Sequence, residues 1–160
     1  MEIIPKIKTL EEKKLIGMNT TMSLAENKTT ELWRELMTRR EEIKSAIGKD
    51  LYSLQIYNSN YFENFDLKNS FKKWACVEVT NFISIPEKMD TLVLQSGLYA
   101  VFLYKGSSAN NAVFNYIFSE WLPNSEYNLD LRPHFEVIGE KYKNNSPDSE
   151  EEIWIPIKPK

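Results

Sequence analysis

Apolar residues along this chain follow two spacings, period two and period near 3.6, and they divide it into strands and two helices. Residues 13–24, KKLIGMNTTMSL, are rich in strand formers and lack helical spacing. They read as an extended segment interrupted near Gly17. A helix follows. Asn27 or Thr29 can cap it, Glu31 sits in its first turn, and Leu32, Trp33, Leu36 and Met37 form an apolar stripe. Arg39, Arg40 and Lys44 crowd its later turns, and Gly48 is expected to end it. Residues 51–57 alternate as a strand, 58–70 are rich in Asn, Asp and Phe and read as loop, and 74–79, WACVEV, read as another strand. Residues 91–106 predict two strands broken at Ser96-Gly97. Ser107 or Ser108 then caps a second helix bearing Val113, Phe114, Ile117, Phe118 and Trp121, with Pro123 just past its end. Residues 134–139, HFEVIG, and 152–157, EIWIPI, are the last strands, and the polar segment 141–151 between them reads as loop.

The order of elements repeats. Gly17 and Gly97 each lie in an extended segment that precedes an amphipathic helix, and the two strands after each helix answer one another at the same offset, near 80 residues. The pattern predicts an α+β fold: duplicated strand-helix-strand-strand units with pseudo-twofold symmetry, an antiparallel sheet with helices on one face, and a cleft between the units. The chain, 1–160, reads as a single domain with halves of about 13–80 and 94–158, broken in the turn around Ile85 to Asp90.

Charge and composition narrow the chemistry. The 160 residues carry 20 basic and 23 acidic side chains, a net charge of −3, which argues against a nucleic-acid binder and gives no attraction to anionic membranes. One cysteine, Cys76, excludes an internal disulfide and a thiolate-built zinc site, and one histidine, His134, excludes two-His metal sites. No metal or cofactor is expected. No stretch approaches the roughly 18 apolar residues of a membrane span, so the expectation is a soluble, cytoplasmic domain. In such a setting the glycosylation-type triplets at Asn19 and Asn27 carry no meaning. Gly106-Ser107-Ser108 lacks the lysine of a phosphate loop, and His134-Phe135-Glu136 lacks the Cys-x-x-Cys that a zinc deaminase needs.

Alternation then singles out a few side chains. Phe135 and Val137 share one face of their strand, and His134, Glu136 and Ile138 the other. If helices cover the Phe135 face, Glu136 points into the cleft; the plainer reading leaves it hydrated on a solvent face. Ile153, Ile155 and Ile157 form a core stripe, so Trp154 and Glu152 point the other way, as Trp74, Cys76 and Glu78 do in the matching strand. An outward Trp must be covered by a ligand, a partner or a local loop. An aromatic-walled cleft holding a carboxylate suits a flat, apolar cation. Trp33 and Trp121 lie in helical stripes and read as core, and Glu150-Glu151-Glu152 reads as a solvated approach to the last strand.

Several segments resemble the GyrI-like small-molecule-binding domain, also called the AraC-type effector-binding domain. They are Gly97-Leu98-Tyr99-Ala100-Val101-Phe102, Tyr104-Lys105-Gly106, Trp121-Leu122-Pro123, Phe135-Glu136 and Glu152-Ile153-Trp154-Ile155-Pro156-Ile157, with Leu32-Trp33 and Trp74-Ala75 in the first half. The resemblance implies a duplicated α+β unit with a central ligand groove. It implies that Glu136 sits at the groove's base and pairs with cationic ligands, and that Trp154, where Tyr is more usual, lines the groove with Glu152, Ile138 and Tyr99. Trp74 joins this candidate set from the alternation argument. In regulators of the family the domain is fused to a DNA-binding helix-turn-helix, which these 160 residues leave no room for. DNA contact would therefore need a separate partner protein. Some stand-alone relatives hydrolyse reactive small molecules with a groove glutamate and a tyrosine, so a hydrolase using Glu136 and Tyr99 is the alternative to a cytoplasmic binding domain.

Overall fold

The computed structural model describes residues 3–107, 111–139 and 146–160. Nine strands and two helical segments alternate as β1 Lys6–Leu10, β2 Lys13–Ser23, α1 Thr29–Arg39, β3 Leu51–Ile56, β4 Ser70–Val79, β5 Asp90–Leu94, β6 Gly97–Lys105, α2 Ala112–Tyr116, β7 Tyr127–Leu129, β8 His134–Ile138 and β9 Glu150–Pro159. A 3-10 turn, Arg40–Glu42, extends α1, and a π-helical turn, Ile117–Trp121, and a final turn, Leu122–Asn124, extend α2.

All strand pairs are antiparallel, in the order β1-β6-β9-β8-β3-β4-β2-β5, with β7 on the end of β9. The order is symmetric under exchange of halves: β2, α1, β3 and β4 have the same neighbours as β6, α2, β8 and β9, and β3 meets β8 in the middle. The outermost strands are exchanged, since β1 flanks β6 and β5 flanks β2.

That exchange bends the sheet. β1 lies at one end of the strand order, yet only Glu11 and Glu12 separate it from β2 near the other end; Gln95 and Ser96 join β5 to β6 in the same way. Two residues reach roughly 7 Å, while strands lie about 4.8 Å apart, so a flat sheet of this width cannot be closed by such links. The sheet curls until its ends meet. Leu10, Leu15 and Leu94 from the ends then pack with Tyr52, Leu54, Trp74, Tyr99 and Phe135 from the middle.

Register fixes the two faces, because directly opposed residues share one. Met18, Ala75, Ser53, Glu136, Ile153 and Phe102 lie in one row across the sheet. This outer face carries the helices: Leu32 and Leu36 of α1 on Ile16, Ala75 and Val77, and Val113 and Ile117 of the second helix on Ala100, Phe102 and Ile153. The neighbouring row, Trp74, Leu54, Phe135, Trp154 and Val101, lies on the inner face.

Several local expectations are corrected. β2 runs unbroken through Gly17, because the glycine serves packing: a Cβ there would meet the Ala75 carbonyl oxygen and lie 2.5 Å from Cys76 Cβ. Gly17→Ala is expected to cost about 1–3 kcal/mol by overpacking this β2–β4 crossing. A lower urea midpoint at unchanged slope would show it. α1 ends before Gly48, which sits in the next turn at φ 64°. The Asn27 side chain accepts from the Thr29 N–H just ahead of the helix. The second helix begins after Asn111 rather than at Ser107, and Ser108 lies outside the described residues. Pro123 falls inside its final turn. β1 and β7 were not foreseen, and β9 takes in Glu150, Glu151 and Glu152. The loop expected over 141–151 lies outside the described residues at 141–145.

Candidate functional site

A recess of about 290 Å³ opens on the inner face, where the sheet's curled ends meet its middle. Its walls are Thr9, Leu10, Glu11 and Lys13 from the ends, and Asp50, Tyr52, Phe135, Val137, Glu152 and Trp154 from the loop before β3 and from β3, β8 and β9. The Trp154 indole stacks on Phe135 at 5.2 Å and 17°, and Tyr99 meets it edge-on at 5.8 Å. Its Nε1–H donates to the Glu152 carboxylate at 3.1 Å, which fixes the ring. Tyr52 leans on the far side of Phe135, 5.9 Å away.

Acids outnumber bases on its walls, and Lys8 stands 5.9 Å from the Trp154 ring centroid. Lys13 is held by Glu78 at 3.3 Å, and among the described residues none of Glu11, Asp50 and Glu152 forms an ion pair. The Tyr52 phenol shows the consequence: burial raises its pKa first, and the charges of Glu78, Asp50 and Glu152 raise it further. Beneath the walls, Tyr99 is fully buried, donates to the Pro133 carbonyl at 2.8 Å and carries the Arg132 guanidinium over its ring, and burial pushes its pKa up to about 12. Trp74 is buried in the same inner core, its Nε1–H without a partner among the described residues.

Of the six predicted ligand residues, Trp154, Glu152, Trp74 and Tyr99 share this face, the first two on the surface of the recess and the others beneath it. Glu136 and Ile138 do not. In β8, Phe135 opposes Trp154 and Glu136 opposes Ile153, so Glu136 projects from the outer face, between the helices. The helices cover the Glu136 face and not the Phe135 face, the reverse of the condition that placed Glu136 in the cleft with Trp154. Glu136 and Tyr99, the pair a hydrolase would use, are on opposite sides of the sheet.

Glu136 belongs instead to a buried polar cluster drawn from both halves. Lys73 Nζ donates to Ser53 Oγ at 2.7 Å and to the Gln55 amide oxygen; the Gln55 amide nitrogen donates to Glu136 at 3.2 Å and to the His134 carbonyl at 3.3 Å. Aromatic rings roof it: Phe62, Phe118 and His134 pack around one another, with centroids 5.0 Å (Phe62–Phe118), 5.6 Å (Phe62–His134) and 6.1 Å (Phe118–His134) apart, and Tyr57 meets His134 edge-on. Burial lowers the Lys73 pKa and raises that of Glu136, while Lys73 and Gln55 hold the carboxylate against that rise. Burial takes His134 down to about 3, so its imidazole is neutral. Glu151, on the same face, is pushed up to about 7, by burial and then by Glu136, against the pull of Lys73.

That last shift has a defined sign. The Glu151 pKa is higher folded than unfolded, so between the ordinary carboxylate range and pH 7 the native state keeps a proton that the unfolded chain has lost. Its contribution therefore destabilises as pH rises through that window and is constant above it. Allowing for the solvent that reaches this half-buried group, the loss is on the order of 1–2 kcal/mol. Glu151→Gln is expected to flatten the slope and to be the more stable protein at pH 8. Melting curves of both proteins across pH 4–8 check this; parallel profiles would contradict it.

Residues 4–158 match the family model of the GyrI-like small molecule binding domain. The chain belongs to that family. Among solved structures, SAV2435 bound to tetraphenylphosphonium is 18% identical, with TM-score 0.75 over 99% of this chain and 94% of that one. The C-terminal domain of EcmrR is 15% identical, with TM-score 0.71 over all of both chains. A hydrolase from Listeria innocua is 9% identical, with TM-score 0.65 over 98% of this chain and 93% of that one. Among curated proteins, none matches. This GyrI-like chain shares its fold with all three relatives. Among its described residues no helix is long and apolar enough to cross a membrane, and no group of three or more His, Cys, Asp or Glu is placed to hold a metal ion. Of the recess walls, sequence reasoning found only Glu152 and Trp154; those it missed include Tyr52, Phe135, Asp50 and Glu11. Tyr52 was within reach, since it alternates with Leu54 as Trp154 does with Pro156.

Proposed function

We propose that this GyrI-like domain binds aromatic or otherwise apolar cations in the inner-face recess, with Trp154 and Glu152 as its contact pair. One observation carries the reading: an aromatic recess open to solvent, walled by Tyr52, Phe135 and Trp154, in which Glu11, Asp50 and Glu152 have no ion-pair partner among the described residues. Rings attract a cation through their faces, and unpaired carboxylates add charge complementarity that a neutral molecule cannot use. The tetraphenylphosphonium held by SAV2435 is a cation of this kind, which supports the reading.

In this proposal Trp74 and Tyr99 set the walls from beneath, and Glu136 and Ile138 act on the opposite side of the sheet, outside ligand contact. The domain works in the cytoplasm as a sensor. DNA contact comes from a partner, as suits a net charge of −3. A relative in complex with DNA, EcmrR, has only 57% of its length covered by the match to this chain.

Titrating tetraphenylphosphonium and its neutral isostere tetraphenylmethane derivative, made soluble by an uncharged substituent, tests charge selection. The cation is expected to bind at least tenfold more tightly, and the gap should narrow with added salt. Equal affinities would contradict the reading.

A further inference from the structure

We infer, independently of the inner-face recess, that Lys73 fixes the class of molecule admitted between the two helices: it is a tethered cation that fills the charge of Glu136, so this opening on the outer face takes uncharged aromatic molecules and turns cations away. Register puts the lysine there. Lys73 and Gln55 are directly opposed, and Ser53 and Glu136 are opposed in the neighbouring row of the same face. The Lys73 side chain crosses β3, donates to Ser53 Oγ at 2.7 Å and to the Gln55 amide oxygen, and brings its charge to Glu136. A buried ammonium is costly unless a counter-charge and hydrogen bonds meet it, and here both do.

Without the lysine, the same surroundings would hold a cation. Glu136 keeps part of its surface open to solvent, and so do Phe62 and Phe118 above it. These rings, with Tyr57 and His134, come from β8, the second helix and the segment after β3, so both halves contribute to one aromatic mouth over one carboxylate. Rings and an anion together attract an apolar cation. Lys73 cancels that attraction. Its side chain is buried and does not swing into water as a surface lysine does. An incoming cation meets a fixed ammonium and finds its counter-charge already used. The other titratable groups facing the cluster do not restore the attraction. Burial keeps His134 neutral and holds Tyr57 and Tyr61 protonated, and burial followed by Glu136 pushes Glu151, at the solvent margin, up to about 7. An uncharged ring escapes the repulsion and keeps the apolar contact.

At pH 8 in the Glu151→Gln protein, Lys73 and Glu136 are the two charges of the cluster. Benzyl alcohol, benzylammonium and benzoate are titrated into it while NMR follows the ring signals of Phe62, Phe118 and His134; the Trp154 Nε1–H reports the inner recess separately. With both charges present, the alcohol is expected to shift the three rings and to bind about tenfold more tightly than either ion. Adding Lys73→Met strands the carboxylate and should turn the preference to benzylammonium. Adding Glu136→Gln instead strands the ammonium and should turn it to benzoate. With both substitutions the alcohol should lead again. If Lys73→Met unfolds the protein, the switch to benzoate in Glu136→Gln still decides. Three results overturn the inference: benzylammonium preferred while both charges are in place, a preference that Glu136→Gln does not move, or rings that none of the three molecules shifts, whatever Trp154 does.

Discussion

Replacing Lys73 by methionine is expected to cost about 3–5 kcal/mol of folding stability at pH 8. The side chain is buried, and its ammonium is the cation facing Glu136 in the cluster between the helices. Methionine fills much of the same space, so the loss is electrostatic: Glu136 keeps its charge and Gln55 alone remains to solvate it. Two controls separate this from a packing defect. Adding Glu136→Gln to the Lys73→Met protein removes the stranded charge and should recover most of the loss. Acidification should recover part of it too, because burial already raises the Glu136 pKa above its unfolded value, and losing Lys73 raises it further. A group of that kind binds its proton more tightly in the folded state, so the variant gains on the wild type as pH falls towards 5. Chemical denaturation of the single and double variants at pH 5 and 8 gives all four numbers. A loss under 1 kcal/mol, or one independent of pH, would show that the cluster is not held as an ion pair.

The second large effect concerns binding. Trp154→Leu is expected to weaken tetraphenylphosphonium by about 2 kcal/mol, roughly 30-fold in Kd, because it removes the cation–π face and the stacking surface together. The Glu152 carboxylate loses the Nε1–H that holds it at 3.1 Å and turns towards solvent. The neutral isostere should lose less, since leucine still offers it apolar area. A thermal melt of the same sample shows whether the inner core, where Trp154 packs against Phe135, has survived. An intact fold with undiminished affinity would place the ligand elsewhere.

The sequence allowed much of this to be read, and the limit lies in one physical quantity. Strand-former content located β2, short alternating or apolar runs located β3, β4, β8 and β9, and helical spacing located both helices; β3 and β4 are buried on both faces, one against the helices and one in the inner core. The same alternation put Trp154 opposite Ile153 and Ile155, and Trp74 opposite Ala75, as observed. What alternation does not supply is which face of each strand looks the same way as its neighbour's. In β8 that depends on Phe135 pairing with Trp154 rather than with Ile153, a difference of one residue that exchanges Glu136 for Phe135 at the recess. The alternation argument set Phe135 against the helices and Glu136 in the cleft or hydrated on a solvent face, and the register reverses the two. β1 is nearly all exposed and β7 has three residues, so neither has enough burial to mark the sequence. Lys73 was invisible for another reason: a lysine in a strand reads as solvent-facing until a carboxylate on a strand two places away is known to meet it.

Two faces of one sheet thus divide the candidate residues, with Trp154, Glu152 and Tyr52 on the inner side and Glu136, Lys73 and Glu151 on the outer. A crystal structure of the protein grown with tetraphenylphosphonium separates them in one measurement. The phosphonium is expected between Trp154, Tyr52 and Glu152. A phosphonium lodged between the helices against Glu136, with the roof formed by Phe62 and Phe118 opened, would contradict it.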